Sequence, residues 1–495
     1  MRIVYTSDVH SYLFPTTYYE KGERNVGLMR IAESFEKDDD TVVVDGGDTI
    51  QGSALSKYVF DRNIRPFPQA QVFKRMGLDI AVPGNHDFNY GYGVFSEFFT
   101  ETAATILCAN LEDRTGRLDI RRHLILEDSS GLRVGFIGAV TDYVNVWERR
   151  ENLENFVISP VIESVSRELD NIRDCVDYTV LVYHGGFECS LDDGRVLSQT
   201  SENQAYEICS KLSFDLVLTA HQHMAIPFRK VGNSYTMQCP SNGAMYACIT
   251  LSKDGIKGEL KTPDENGPHL MERECKSLDD DVQLWLDRTV CSIEAPIPAP
   301  TMIDSTSKGS RIADFFNFVQ LETTHADISC TSLSNKLYGF ENDITIRQVI
   351  ANYQFPNTLE VVEIGESALR TALERCAQFF DLKDGRIEIS RLFLEPKVEL
   401  YNYDYYMGIE YEFDLRKPVG HRVSKLLFKG EPIGDRVLRL CLNNYRASGT
   451  GGYDVLKDLD VVEVYSLDVQ DLAVNYLLSH SDNLSWPCSQ FSTVY

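Results

Sequence analysis

The sequence predicts an α/β protein in two parts, a larger sheet-and-helix domain over 1–276 and a smaller α+β domain over 301–495. Three observations carry this. The first half alternates short β-branched runs with amphipathic stretches, the pattern of a sheet covered by helices. The stretch "EAPIPAP" at 294–300 places Pro296, Pro298 and Pro300 close together, which reads as an extended, stiff connector. Beyond it the alternation changes character, as at the start of a second core.

In chain order, "RIVYTS", "TVVVDGGD", "DIAVPGN", "RVGFIGAV", "YTVLVYHGG" and "DLVLTAHQH" read as buried strands. Helical spacing falls at 26–37, 67–77, 158–174 and 202–211. A helix-like run at 277–293 leads into the connector, so 277–300 is the expected link between domains. After it come a helix near 308–322, a strand near 326–331, a helix near 345–352, a strand at 358–364, a helix at 366–378, and then mainly strands.

Composition narrows the function classes. The 495 residues carry 48 basic and 74 acidic side chains, a net charge of −26. That excess argues against nucleic-acid polymers and anionic membranes as partners. It does not exclude an anionic small molecule, because bound cations invert the potential locally. No stretch reaches the length of a membrane span. The opening "MRIVYTSDVHSYLF" lacks the features of a signal peptide, so a cytoplasmic location is expected. The 12 cysteines are scattered singly and read as mostly buried thiols and not as a disulfide framework.

The chemistry lies at the ends of the strands, where open α/β sheets gather ligands. "SDVHS" offers Asp8 and His10 from one loop, and "DGGDT" sends out Asp48 after a tight glycine turn. In "GNHDFNYG" the Asn85 carbonyl is a neutral oxygen ligand and His86 a candidate acid or phosphate contact. "VYHGG" presents His184, and "TAHQH" presents His221 and His223. Singly, each of these is more often an ordinary loop residue or helix cap. Together they suit two divalent metals, with Asp48 placed to bridge them. Two such ions hold an attacking hydroxide and clamp a phosphoryl group.

The ordered set D-x-H, G-D, G-N-H-D, H-G and H-x-H resembles the calcineurin-like metallophosphoesterases. Within them, "GNHDFNYG" and the second domain resemble the 5'-nucleotidase family, which includes 2',3'-cyclic-nucleotide phosphodiesterase/3'-nucleotidases. The resemblance implies a four-layer α/β/β/α catalytic domain followed by a nucleotide-recognising domain. It implies one metal on Asp8, His10, Asp48 and His223, and another on Asp48, Asn85, His184 and His221. The ions would be Mn²⁺, Zn²⁺, Co²⁺ or Fe²⁺, with a metal-bound hydroxide as nucleophile. His86 would contact the phosphate or the leaving oxygen, and Asn89 would orient His86 without bringing a charge. Asp87 would brace the turn.

In the second domain, "YNYDYYMGIEYEFDLRKPVGHRV" and "NNYRASGTGGYDV" correspond to the family's C-terminal segments. The resemblance implies that Tyr403 and Tyr445 sandwich a base and that Arg446 shapes the pocket rim; Asn443 beside Tyr445 either contacts the base or closes a turn. Two departures are visible. Gly451 stands near the position where several 5'-nucleotidases carry a ribose-binding aspartate, and Ala220 stands where a glycine usually precedes H-x-H. The expected activity is hydrolysis of nucleotide phosphoesters. Cleavage of a nucleotide-sugar or dinucleotide pyrophosphate is a second reading, and an inactive nucleotide-binding protein a third.

Overall fold

A computed structural model describes every residue except 199, 356, 396 and 481–483. The chain divides into two units, Met1–Val282 and Gln283–Tyr495.

The first unit is a four-layer α/β/β/α sandwich. One sheet has seven strands, in the order Gly255–Lys261, Tyr246–Ser252, Arg2–Thr6, Thr41–Asp45, Ile80–Ala81, Thr105–Leu107 and Ile120–Arg121. The other has six, in the order Ile226–Val231, Ser234–Gln238, Leu216–Thr219, Tyr178–His184, Arg133–Val140 and His123–Glu127. Strand periodicity explains why these runs are apolar on both faces. Ile3, Val44, Phe136, Val182 and Leu218 fill the space between the sheets. Their alternates Ile137, Leu181, Tyr183 and Val217 pack with Val165, Leu169 and Ile208 on helices Val161–Ile172 and Ala205–Lys211. Gly138 lets the sheets close, since a Cβ there would lie 2.0 Å from the Leu107 carbonyl oxygen.

In the first sheet, Arg2–Thr6, Thr41–Asp45, Ile80–Ala81 and Thr105–Leu107 run parallel, as do Arg133–Val140, Tyr178–His184, Leu216–Thr219 and Ser234–Gln238 in the second. Each sheet therefore releases its loops from the carboxyl ends of its strands at one edge. The residues singled out in the first domain lie at or just after those ends.

The expected helix over 277–293 is shorter. Lys276–Leu286 is helical, but Thr289–Ser292 is a strand that pairs with Asp343–Thr345. The sequence "TVCS" has two β-branched residues, which lose side-chain freedom in a helix and pack well in a sheet. The proline stretch is pinned, because Ile297 and Phe340 exchange main-chain hydrogen bonds of 2.7 and 2.8 Å.

The second unit centres on a five-stranded sheet, in the order Asp404–Met407, Ile328–Ser332, Leu438–Asn443, Thr358–Ile364 and Val461–Asp468. Helix Arg311–Thr324 begins where Ser310 accepts from the Ala313 N–H, and it buries Phe315, Phe316 and Val319. A three-stranded sheet joins Val423–Leu427, Glu410–Asp414 and Gln490–Val494. The expectation of mainly strands after 378 missed helix Val469–Ser479, whose cap is Asp468 accepting from the Asp471 N–H.

Candidate functional site

The stretch from Gly84 to Asn89 shows how local chemistry builds the site. Asn85–Phe88 form a single 3₁₀ turn. Phe88 anchors it, fully buried against Phe95 and Phe156 at ring distances of 5.0 and 5.2 Å. Burying a phenyl ring of this kind contributes about 1.5–3 kcal/mol. Asp87 accepts from the N–H groups of Gly84, Asp48, Thr49 and Ile50 at 2.8–3.0 Å, so it ties this turn to the "DGGDT" loop. Asn85 and His86 are thereby presented to the space beside Asp48. Gly84 has no alternative here, because a Cβ would meet Asp48 Oδ1 at 2.2 Å.

Two groups of ligand atoms converge, Asp8 with His10 and His223, and Asp48 with His184 and His221, each group within 4.8 Å. Asp48 stands between them. Its Oδ2 is 3.3 Å from His184 Nε2 and 3.8 Å from His10 Nε2, while its Oδ1 accepts from the His86 N–H at 2.7 Å. Asn85 Oδ1 lies 3.1 Å from His184 Nε2 and 2.9 Å from His221 Nδ1. All seven residues expected from the sequence to hold metal are therefore gathered in one place.

The donor set suits cations. His10 Nδ1 donates to the Gln51 carbonyl at 2.8 Å and His184 Nδ1 to the Gly46 carbonyl at 2.6 Å, so each Nε2 faces the other ligand atoms and offers a lone pair when its ring is neutral. His10 Nε2 and His223 Nε2 sit 3.0 Å apart. The His10 lone pair at that distance needs a proton or cation between the two nitrogens. Asp8 Oδ2 and Asp48 Oδ2 are buried without a hydrogen-bond partner, which is costly for an ionised carboxylate. Burial pulls the His184 imidazole towards the neutral form, but the charges of Asp48 and Asp8 and the hydrogen bonds to Asp48 and the Gly46 carbonyl together raise the pKa to about 10. Burial opposes ionisation of Asp48, yet His184, His86 and His10 hold it well below the usual carboxylate range.

Backbone conformation marks the same residues. Asp8, His10, Asp48, His221 and His223 all have positive φ, between 49° and 72°. For non-glycine residues this left-handed region is strained and concentrates at functional sites. Ala220 fits its turn, fully buried with its N–H donating to the Gly185 carbonyl at 3.1 Å.

Three supporting residues were not read from the sequence. Glu202 accepts from His221 Nε2 at 3.0 Å, which leaves Nδ1 towards Asn85. Trp147 lies 5.4 Å from the His221 ring. Glu148 stands behind Asn89, whose Oδ1 is 2.8 Å from His86 Nδ1. Trp147 ends the short helix Val144–Trp147 and the two glutamates lie in loops, all remote in sequence from the residues they support and with no motif to announce them.

In the second unit the expected stacking role of Tyr403 is corrected. Tyr403 is 1% exposed, packs against Phe379, Phe380 and Tyr405, and donates its hydroxyl to the Thr306 carbonyl. No ring face is open to a base. Arg446 is buried in an ion pair with Asp404 at 2.7 Å. Asn443 caps the turn by accepting from the Arg446 N–H, and its amide donates to the Tyr353 hydroxyl. Tyr445 and Tyr401 are half-buried, and Phe355 is exposed. Their segments are joined where Asn444 Oδ1 accepts from the Thr358 N–H and where Arg446 donates to the Tyr401 carbonyl. At Gly451, φ is +81° and a Cβ would meet Asn402 Oδ1 at 2.3 Å, so an aspartate there would be strained and would displace the Asn402 side chain.

Residues 1–225 match the family of calcineurin-like phosphoesterases, and 292–458 match the 5'-nucleotidase C-terminal domain. The chain belongs to the calcineurin-like phosphoesterases that carry this second domain. Members of this family are phosphoester hydrolases that use divalent metal ions. The chain is 24% identical to a Yersinia enterocolitica 2',3'-cyclic-nucleotide 2'-phosphodiesterase/3'-nucleotidase, over 91% of its own length and 82% of that relative's. It is 23% identical to a trifunctional nucleotide phosphoesterase of Bacillus subtilis, with 97% of its own length matching 38% of the longer protein. A solved Staphylococcus aureus protein, assigned provisionally to the 5'-nucleotidases, superposes with a TM-score of 0.92 at 28% identity, over 100% of this chain and 99% of that one.

Proposed function

We propose that this chain hydrolyses nucleotide phosphoesters, and that 2',3'-cyclic and 3'-phosphates are better substrates than 5'-monophosphates. The observation that most supports hydrolysis is the convergence of Asp8, His10 and His223 with Asp48, His184, His221 and Asn85 around two buried carboxylate oxygens that make no hydrogen bond. Divalent cations held there supply Lewis acidity and a water acidified towards neutral pH. His10 and His184 are locked by their carbonyl partners with Nε2 presented inward. Asp48 joins the two groups. His86 contacts the phosphoryl or leaving oxygen, and Asn89 holds its ring. The preference between esters is supported by Gly451, which offers no ribose-binding carboxylate and whose backbone conformation disfavours one.

The imidazole, carboxylate and amide donors suit Mn²⁺, Zn²⁺, Co²⁺ or Fe²⁺. The test compares AMP, 3'-AMP and 2',3'-cyclic AMP with an aryl phosphate and an aryl phosphodiester, on protein loaded with each metal in turn. Turnover of the cyclic or 3'-phosphate ahead of AMP is the expected result. No turnover of any substrate overturns the proposal.

For base recognition we propose Tyr445 with Tyr401, in place of the buried Tyr403. Tyr401→Ala and Tyr445→Ala are expected to raise KM for nucleotides about tenfold, the scale of one lost stacking contact, while leaving the aryl phosphate unaffected. Tyr403→Phe is expected to leave KM for both unchanged. An equal loss on both substrates at Tyr445 assigns that ring to structure.

A cytoplasmic location is the reading favoured here. It is supported by 12 free cysteines, among them Cys108, Cys239, Cys330 and Cys376 in the core. Among the described residues, no helix is long and apolar enough to cross a membrane.

A further inference from the structure

Asn89 has a partner on each side. Its Oδ1 is 2.8 Å from His86 Nδ1, and its Nδ2 donates to Glu148 Oε2 at 2.5 Å. The other Glu148 oxygen accepts from the Asn152 amide and from the Arg149 N–H, both at 2.8 Å. Asn152 also donates to the Asn89 carbonyl at 3.0 Å. Two fixed donors therefore hold the Glu148 carboxylate in place.

An amide has one accepting and one donating end, whereas an ionised carboxylate only accepts. Glu148 can therefore face only the NH₂ end of Asn89. The Asn89 oxygen must turn to His86, and His86 must carry a proton on Nδ1 to meet it. That leaves His86 Nε2 for the reacting group. We propose that Glu148 is a positioning residue that acts on His86 through the Asn89 amide, and that residues 89 and 148 work only as a matched pair. The inference rests on the role given above to His86.

The pairing makes an uncommon demand. Asn89→Asp, on its own, looks like a gain, because it sets a carboxylate beside the histidine. Here it would bring two carboxylates together at the 2.5 Å contact, where they cannot both ionise. Residue 89 would swing away from His86 or hold a shared proton. Asn89→Asp combined with Glu148→Gln reverses the donor and acceptor across the same contact. The introduced amide at position 148 then donates to the introduced carboxylate at position 89, whose other oxygen still accepts from His86.

The test is a double-mutant cycle on the metal-loaded full chain, with an aryl phosphodiester as substrate and metal content and thermal midpoint measured for every variant. Asn89→Asp is expected to lower kcat by about 10–100-fold, with KM within about twofold and metal retained. Glu148→Gln is expected to lower kcat by about 3–10-fold. The double variant should fall no further than Glu148→Gln alone. Losses that multiply, or a double variant that recovers its thermal midpoint but not kcat, overturn the inference and leave Glu148 as scaffold. An inactive parent protein with both metals loaded is a separate outcome, which removes the proposed function and this inference with it.

Discussion

Asp48→Asn is expected to lower kcat by about 10⁴-fold, equivalent to about 5.5 kcal/mol of transition-state stabilisation at 1.36 kcal/mol per decade. The substitution keeps the shape of the side chain and removes its charge. The oxygen of the introduced amide can still accept from the His86 N–H, as Asp48 Oδ1 does at 2.7 Å, so the turn at 85–88 has no reason to move. The Oδ2 atom is what changes. It is buried without a hydrogen-bond partner and lies near both His184 and His10. An NH₂ group there points donors at the place where the other ligands direct lone pairs. Metal analysis should show the loss of at least one ion per chain, while the far-ultraviolet circular dichroism stays that of the parent. A variant that retains a tenth of the activity with a full metal complement would refute the bridging role.

His86→Ala should behave in the opposite way towards metal. The main-chain N–H of residue 86, not its ring, binds Asp48, and alanine keeps that N–H. Both groups of ligands should stay intact and metal content should stay at the parent level. The ring itself is 5.5 Å from the His10 ring, close enough to reach a group held by the ligands. Removing a positioned acid or electrostatic contact is expected to lower kcat by about 10²–10⁴-fold. The loss should be smallest for an aryl ester, whose leaving oxygen needs no proton. Metal loss in this variant would make His86 a ligand instead.

The candidate metal site was legible because its residues follow strands that are themselves legible. An apolar run such as "YTVLVYH" fixes a buried strand, and the polar residue that ends it must project beyond the sheet edge. Supporting residues obey no such rule. Glu148 lies 59 positions from Asn89, and Glu202 lies 19 from His221, each in a polar loop whose sequence resembles any solvated turn. The tyrosine assignment failed for a related reason. In "YNYDYYM" several rings could be either core or contact, and the choice is made by Asp404. Burial holds the Asp404 carboxyl above its ordinary pKa, and its pairing with Arg446 fixes that segment inside the unit. A pairing between residues so far apart in the chain leaves no trace in local periodicity. Element ends drifted in the same way: the helix expected over 26–37 covers only Leu28–Ala32, because tertiary contacts and not propensity decide where it stops.

The left-handed backbone at Asp8, His10, Asp48, His221 and His223 has a consequence for how this sequence can change. At each position glycine would relax the chain by about 1 kcal/mol or more, and at each position glycine would remove a ligand. Foldability and chemistry thus pull the same five codons in opposite directions. A library of this chain screened for heat resistance alone would shed the metal centre before it disturbed either core.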